Sequence, residues 1–347
     1  MRSRLCPTSF WIEMPQPVPK ITVLMTVFNG ERYLAEAVDS ILAQTMSDFE
    51  LLVVDDLSTD CTAEILATYA AQDDRVRVIR NTKNSGPYPS ANKGLVQARA
   101  PLIARMDADD KSAPDRLERQ LAVMEKSPDC MLVGGGYRSI DGNGKENFIR
   151  HNAMDFATCA FVARLRMPMV HPSFCFRAKL PDGTPVRYDE DIPIAGDYAL
   201  AAELAAKGKI ASLDAILVDY RMHAENISST KLDRQQHFAH ATSKKVVAAH
   251  YPPEISDDLR SLLDVLYRQE SATKPRLSAA IHGLDAAIRH DCGSTPSASL
   301  QERAAGILAE AFAKSMPFSF LTKAPHHLLP LSKRYGRLKN MLPQRAG

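Results

Sequence analysis

Three short apolar runs constrain this chain most: Ile21-Thr-Val-Leu-Met-Thr-Val-Phe28, Phe49–Val54 and Leu102–Met106. Each has strand length and is nearly continuous in apolar character, the pattern of a strand covered on both faces. Between the first two, Glu31–Gln44 places Leu34, Ala37, Val38, Ile41 and Leu42 on one helical face. The alternation continues with a helix over Thr62–Ala71, a strand over Val76–Ile79 and a helix over Ser90–Ala98. The expected fold is α/β, a largely parallel sheet sandwiched by helices. Such sheets bind ligands beyond the carboxyl ends of their strands. Acidic residues collect there: Asp55-Asp56 follows the second run, and Asp107-Ala-Asp-Asp110 follows Leu102–Met106.

From about Gln120 to Tyr220 the pattern is mixed, with Gly134–Gly136 expected as a bulge or turn and a helix over Asp197–Lys207. Beyond Asn226, Arg234–His250, Glu254–Arg268 and Leu300–Lys314 read as helices separated by Pro, Gly and Ser. Residues 20–230 are therefore expected to form the sheet domain and 231–347 a helical C-terminal region. Residues 1–19 hold Pro7, Pro15, Pro17 and Pro19 and no long apolar stretch. They are expected to be a disordered leader, with Met14 an equally good start.

Lys and Arg number 43 against 41 Asp and Glu, a net charge of +2, which provides no chain-wide field to hold nucleic acid. The six cysteines form no Cys-x-x-Cys pair and no zinc-site spacing, so they are expected to be reduced packing residues. No run approaches the ~18 apolar residues of a membrane span. A cytoplasmic location is the corresponding expectation.

Clustered carboxylates repel and raise one another's pKa, so the run Asp107–Asp110 at a strand end calls for a divalent cation, Mn²⁺ or Mg²⁺, shared with phosphate. A solvated turn in which Asp110 or Ser112 caps the following helix is the competing reading. Asp56 faces the same edge and can accept an N–H from a nucleobase, while Asp55 supports the turn and Asp60 caps the next helix. Phe28-Asn-Gly-Glu-Arg-Tyr33 is not the glycine pattern of a dinucleotide fold.

In order along the chain, Thr22–Gly30, Ser40–Thr45, Phe49–Asp60, Asn81–Gly94, Ile103–Asp110 and Pro114–Gln120 resemble the opening signature of the family 2 glycosyltransferases. That family has the nucleotide-binding GT-A fold, and the resemblance covers roughly residues 20 to 230. It implies that Thr26, Phe28 and Asp56 bind the nucleoside, that Asp107 faces the nucleotide and that Asp109 is a metal ligand. Phe28 is a departure, because the family usually has Tyr there. His171-Pro-Ser-Phe-Cys-Phe-Arg177 resembles the acceptor-side segment, although His171 is equally readable as a packed turn residue.

The family's catalytic base is the Asp of a Glu-Asp pair opening a helix. Here Asp197 is that Asp, and Gly196 stands in place of the Glu. Asp197 read alone is an ordinary helix N-terminal carboxylate favoured by the dipole. Tyr220-Arg-Met-His223, with Asn226–Ser228, resembles the family's closing segment and makes His223 a metal ligand; a satisfied surface histidine is the alternative.

The resemblance implies single transfer with inversion, from a nucleotide sugar, expected to be a UDP-sugar, to a glycan or lipid-linked acceptor in polysaccharide or glycolipid assembly. Processive members carry a Gln-x-x-Arg-Trp motif, whereas Trp11 is the sole tryptophan. The rivals are a sugar-phosphate nucleotidyltransferase, which needs a glycine-rich basic loop after the first strand, and a catalytically silent sugar-binding protein. Beyond Glu310 no acidic residue occurs, while Lys314, Lys323, Lys333, Arg334, Arg337, Lys339 and Arg345 alternate with Phe and Leu. That segment is either a peripheral contact with the inner face of a membrane or a basic helix packed on the domain.

Overall fold

The computed structural model describes residues 18–223, 231–267, 274–292 and 296–313. Its centre is a parallel half-sheet of β1 (Ile21–Val27), β2 (Phe49–Asp55), β3 (Val76–Arg80) and β4 (Leu102–Asp107), ordered β3-β2-β1-β4. The helices α1 (Leu34–Leu42), α2 (Thr62–Gln72) and α3 (Pro87–Gln97) connect these strands. Side chains alternate between two cores: Leu24, Leu52, Val54 and Ile103 enter one, and Val23, Met25, Leu51, Val53 and Ala104 the other. Covering both faces leaves little room for polar residues, with Thr22, Glu50 and Arg105 as buried exceptions, which is why the strands read as nearly continuous apolar runs.

The sheet continues from β4 through antiparallel β8 (Cys175–Arg177) to β6 (Cys130–Ile140), β9 (Lys209–Arg221) and β5 (Lys111–Ser112), with β7 (Glu146–Arg150) paired to β6. The helices α4 (Arg116–Lys126), α5 (Phe156–Leu165) and α6 (Gly196–Lys207) flank this mixed half. Gly134–Gly136 lie inside β6 and form no turn; the register with β9 shifts on both sides of Gly136. Their neighbours press close, since a Cβ at Gly134 would meet Met169 Sδ at 2.2 Å and one at Gly136 would meet the Arg150 carbonyl at 2.5 Å.

Among the described residues four more helices follow: α7 (Leu232–His250), α8 (Pro253–Leu266), α9 (Lys274–Cys292) and α10 (Ala298–Ala313). α7, α9 and α10 pack on α5, α7 also packs on α6, and α8 packs against the other three. Val247, Leu259, Leu263, Leu284, Leu300 and Leu308 belong to the same apolar cluster as Leu24, Leu52 and Phe161. Among the described residues no helix is long and apolar enough to cross a membrane. The expected leader up to residue 17, the segment Asn226–Ser228 and the basic stretch from Lys314 onward lie outside the described residues.

Candidate active site

A continuous cavity of about 2020 Å³ opens over the carboxyl ends of β1, β2 and β4 and extends toward β7, α5 and α10. Thr26, Phe28, Asp56, Asp107, Asp109, His171, Asp197 and His223 all line it.

On the acidic floor, Asp109 Oδ2 lies 2.9 Å from His223 Nε2, across 114 positions of sequence. Asp107 turns instead to Arg105, whose Nη2 donates to Asp107 Oδ1 at 3.1 Å and lies 3.4 Å from Thr26 Oγ1. Arg105 is 2% exposed and also donates from Nη1 to the Leu24 carbonyl at 2.8 Å. A buried arginine of the strand thus ties Asp107 to β1. Burial still wins over this guanidinium and pushes Asp107 up to about 6, with Asp109 and Asp197 adding to the rise.

Asp110 does not cap a helix. It is 1% exposed and accepts the backbone N–H of Arg221 at 2.7 Å, and its carboxyl is raised well above the ordinary value by burial and then by Asp109 and Asp107. Ser112 sits in β5, and α4 starts behind Asp115 without a side-chain cap. Arg221 closes the loop from the other side, donating from Nε to the Asp109 carbonyl at 2.8 Å and from Nη2 to Glu36 at 3.0 Å.

Whether this floor suits a divalent cation is decided by its donor set. Asp109 and His223 offer a carboxylate and an imidazole in contact, and the raised carboxyl of Asp107 stands on Arg105 nearby; a cation would relieve this negative bias, and oxygen with imidazole donors suits Mn²⁺ and, less closely, Mg²⁺. Another His and Asp cluster, His250, His290 and Asp291, lies on α7 and α9, where Arg164 and Tyr251 already satisfy Asp291.

Toward the nucleoside side, Phe28 is 50% exposed and offers a ring at the rim. Asp56 is buried and accepts from Asn81 Nδ2, Ser85 N and Gly86 N at 2.7 to 2.9 Å, so its carboxylate chiefly holds the loop before α3. A carboxylate has about four acceptor positions, which leaves one for a base. Asp55 holds its own turn through Ser58 N, and Asp60 accepts from Thr62 N at the start of α2. The backbone amides after β1 are equally engaged: Asn29 N donates to Ser58, Gly30 N to Thr62 and Glu31 N to Asp60. No nest of free amides remains there for a triphosphate.

Asp197 opens α6, and its Oδ1 accepts from Tyr198 N at 2.9 Å and lies 3.4 Å from the Tyr88 hydroxyl. Burial raises its pKa, with these hydrogen bonds opposing. Ala195 just before it has φ of 66°; with Asn29 and Leu57, it is one of three non-glycine residues in the left-handed region among the described residues, all at the ligand edge. Left-handed backbone at an alanine or leucine is costly and points to a position fixed by its surroundings.

His171 opens a short 3-10 turn, and its Nε2 lies 2.7 Å from the Tyr188 hydroxyl. Burial drives it well below the usual imidazole range, so the ring is neutral. Tyr188 in turn stacks on Tyr88, with centroids 5.2 Å apart, and Asn92 grips its backbone from both sides. The sequence assigns no role to Tyr188, and Tyr88, Asn92 and Arg105 enter it only as members of the stretches Asn81–Gly94 and Ile103–Asp110, without a role of their own.

The model for the family described as Glycosyl transferase family 2 matches residues 22–181. An uncharacterized glycosyltransferase of Methanocaldococcus jannaschii is 30% identical over 67% of this chain and 80% of its own length. A Bacillus subtilis protein named as a teichuronic acid biosynthesis glycosyltransferase is 36% identical over 38% of this chain and 52% of its own. Among solved structures, Staphylococcus aureus TarS residues 1–349 in complex with UDP-GlcNAc aligns with a TM-score of 0.59 at 18% identity, covering 85% of this chain and 88% of that one. The last likeness establishes a shared GT-A-type fold. The family match and the archaeal relative go further: the chain belongs to glycosyl transferase family 2.

Proposed function

We propose that this glycosyltransferase moves a single sugar from a nucleotide-sugar donor to an acceptor hydroxyl, with inversion and with help from a divalent metal. The observation that carries the reading is one cavity holding both the Asp109–His223 pair and, separately, the raised carboxylate of Asp197. Asp109 and His223 would hold Mn²⁺ or Mg²⁺, with Asp107 beside them. When bound, the ion supplies positive charge to the departing nucleoside diphosphate.

The remaining work falls to side chains. Asp197 takes the proton of the attacking hydroxyl, a task suited to a carboxyl whose pKa is raised. Tyr198 N and the Tyr88 hydroxyl orient it, and Arg105 fixes Asp107 on the nucleotide side. The Phe28 ring offers a stacking face for the base. A UDP-sugar is the proposed donor, a choice supported by the UDP-GlcNAc bound to the S. aureus neighbour. Polysaccharide assembly is the proposed setting, supported by the name of the teichuronic acid relative.

Incubating the full chain with Mn²⁺ and a panel of UDP-, GDP-, CDP- and TDP-sugars tests the reading. Mass spectrometry should detect a nucleoside diphosphate released from one of them, faster with mixed oligosaccharide acceptors. Absence of both binding and turnover for every nucleotide sugar in the panel would overturn it.

A further inference from the structure

The cavity is larger than a donor needs. Sites for drug-sized ligands occupy about 300–1,000 Å³, so a volume of about 2020 Å³ leaves on the order of half the space beyond a nucleotide sugar. The two ends also differ in charge. Asp56, Asp107, Asp109 and Asp197 line the end at the parallel strands, with Arg32 and Arg105 among them, whereas Arg150, Arg166 and Arg303 line the far end, together with Glu302 and Glu310.

Those far-end groups come from separate elements. Arg150 ends β7 and is exposed, Arg166 follows α5, and Arg303 projects from α10. Glu310 is engaged by Arg166 in an ion pair. Arg303 Nη2 donates to the Ala153 carbonyl at 3.2 Å, which seats α10 against the segment after β7. Arg150 has no carboxylate partner among the described residues. Arg303 is held below its ordinary value by burial first, and Arg150 and Arg166 lower it further against the pull of Glu302. Like charges facing one half-buried guanidinium are unfavourable until an anion enters, and planar guanidinium groups match carboxylate and phosphate oxygens two at a time.

Resting on the transferase reading above, we propose that the end of the cavity walled by Arg150, Arg166 and Arg303 is an acceptor subsite that takes an anionic acceptor, one carrying a carboxylate or a phosphate near the hydroxyl to be glycosylated. The acidic end serves the donor and its cation; the basic end selects the acceptor by charge. The helix α10 thereby contributes to substrate choice, although it lies beyond the residues matched by the family.

Two anionic probes separate the sources of that charge. One is a tetrasaccharide of alternating glucuronic acid and N-acetylglucosamine, compared with its methyl ester; the other is farnesyl phosphate, compared with farnesol. Calorimetry on the full chain loaded with UDP and Mn²⁺ should show binding of at least one anionic probe. Its affinity should be at least tenfold above that of the neutral partner and should fall at least tenfold in Arg150→Glu and in Arg303→Gln. Arg150 is exposed at a strand end, so its replacement does not depend on how α10 seats. Equal affinity for charged and neutral probes, no binding of either anion, or unchanged affinity in both variants overturns the subsite. Titration with UDP alone keeps the two readings apart: failure of the wild type to bind UDP counts against the transferase reading, whereas normal UDP binding without charge dependence removes the subsite alone.

Discussion

The ring of Tyr88 fills the place that a side chain at position 196 would take. A Cβ on Gly196 would come within 2.8 Å of Tyr88 Cε2, while the hydroxyl of the same ring lies 3.4 Å from Asp197 Oδ1. The family resemblance puts Glu where this chain has Gly196, so loss of that side chain and entry of the tyrosine ring are two halves of one arrangement. Tyr188, stacked behind Tyr88, keeps the ring from swinging away.

Gly196→Ala should therefore displace Tyr88 and, with it, Asp197, lowering transfer about 10- to 100-fold, the scale of a catalytic group misplaced by a fraction of an ångström to an ångström. Combining it with Tyr88→Ala should recover part of the loss. Rates in the double variant equal to the product of the two single effects would show that the residues act independently.

Asp197→Asn keeps the shape of the side chain and removes its basicity. Transfer is expected to fall by ~10²- to 10⁴-fold while UDP affinity stays within about twofold of wild type. Wild-type turnover in this variant would assign the base elsewhere.

Chelation should weaken binding of a nucleoside diphosphate, and Mn²⁺ should restore it. In Asp109→Ala and His223→Ala the difference between chelated and Mn²⁺-loaded protein is expected to shrink at least tenfold. An undiminished metal effect in both variants, read by calorimetry, would place the ion at other ligands.

The acidic floor also predicts a pH dependence of stability in chelator. Asp107 is pushed up to about 6 by burial, whereas an Asp in the unfolded chain titrates near ~3.9. Between these values the folded chain binds the extra proton, so this group's contribution falls as pH rises from about 4 to about 6. His171 and His240, both lowered by burial, act in the opposite sense. The informative comparison is therefore wild type against Asp107→Asn: on going from pH 4.5 to pH 7, the wild type should lose Tm relative to the variant by on the order of 2 °C. Parallel Tm curves would mean that Asp107 is not strained.

How legible the molecule was in its sequence varied with the physical origin of each feature. β1, β2 and β4 end within a residue or so of the apolar runs that announce them, because burial on both faces leaves an unbroken signal. α1 begins at Leu34, not Glu31, because Asn29 is left-handed and residues 30–33 form a turn closed by Leu34 N donating to the Gly30 carbonyl. α3 begins at Pro87, three residues before the expected Ser90, with proline in its favoured first turn. The acidic residues stood out by position at strand ends. Arg105 did not, because an arginine inside an apolar strand reads as an interruption until its partners Leu24 and Asp107 are seen. Tyr188 was invisible for a different reason: what fixes it is Asn92, 96 positions away.

The interior shared by the sheet and the helices α7 to α10 bears on how this enzyme can diverge from its relatives. The family match stops at residue 181, yet Asp197 and His223 come later, and Val247, Leu259 and Leu308 are packed into the cluster that holds Leu24 and Phe161. The helical region is consequently no interchangeable cassette. A chimaera joined at residue 230 would bring together two half-interiors shaped for different partners, and recombination that retains solubility should carry α5 and α6 along with the helices that rest on them.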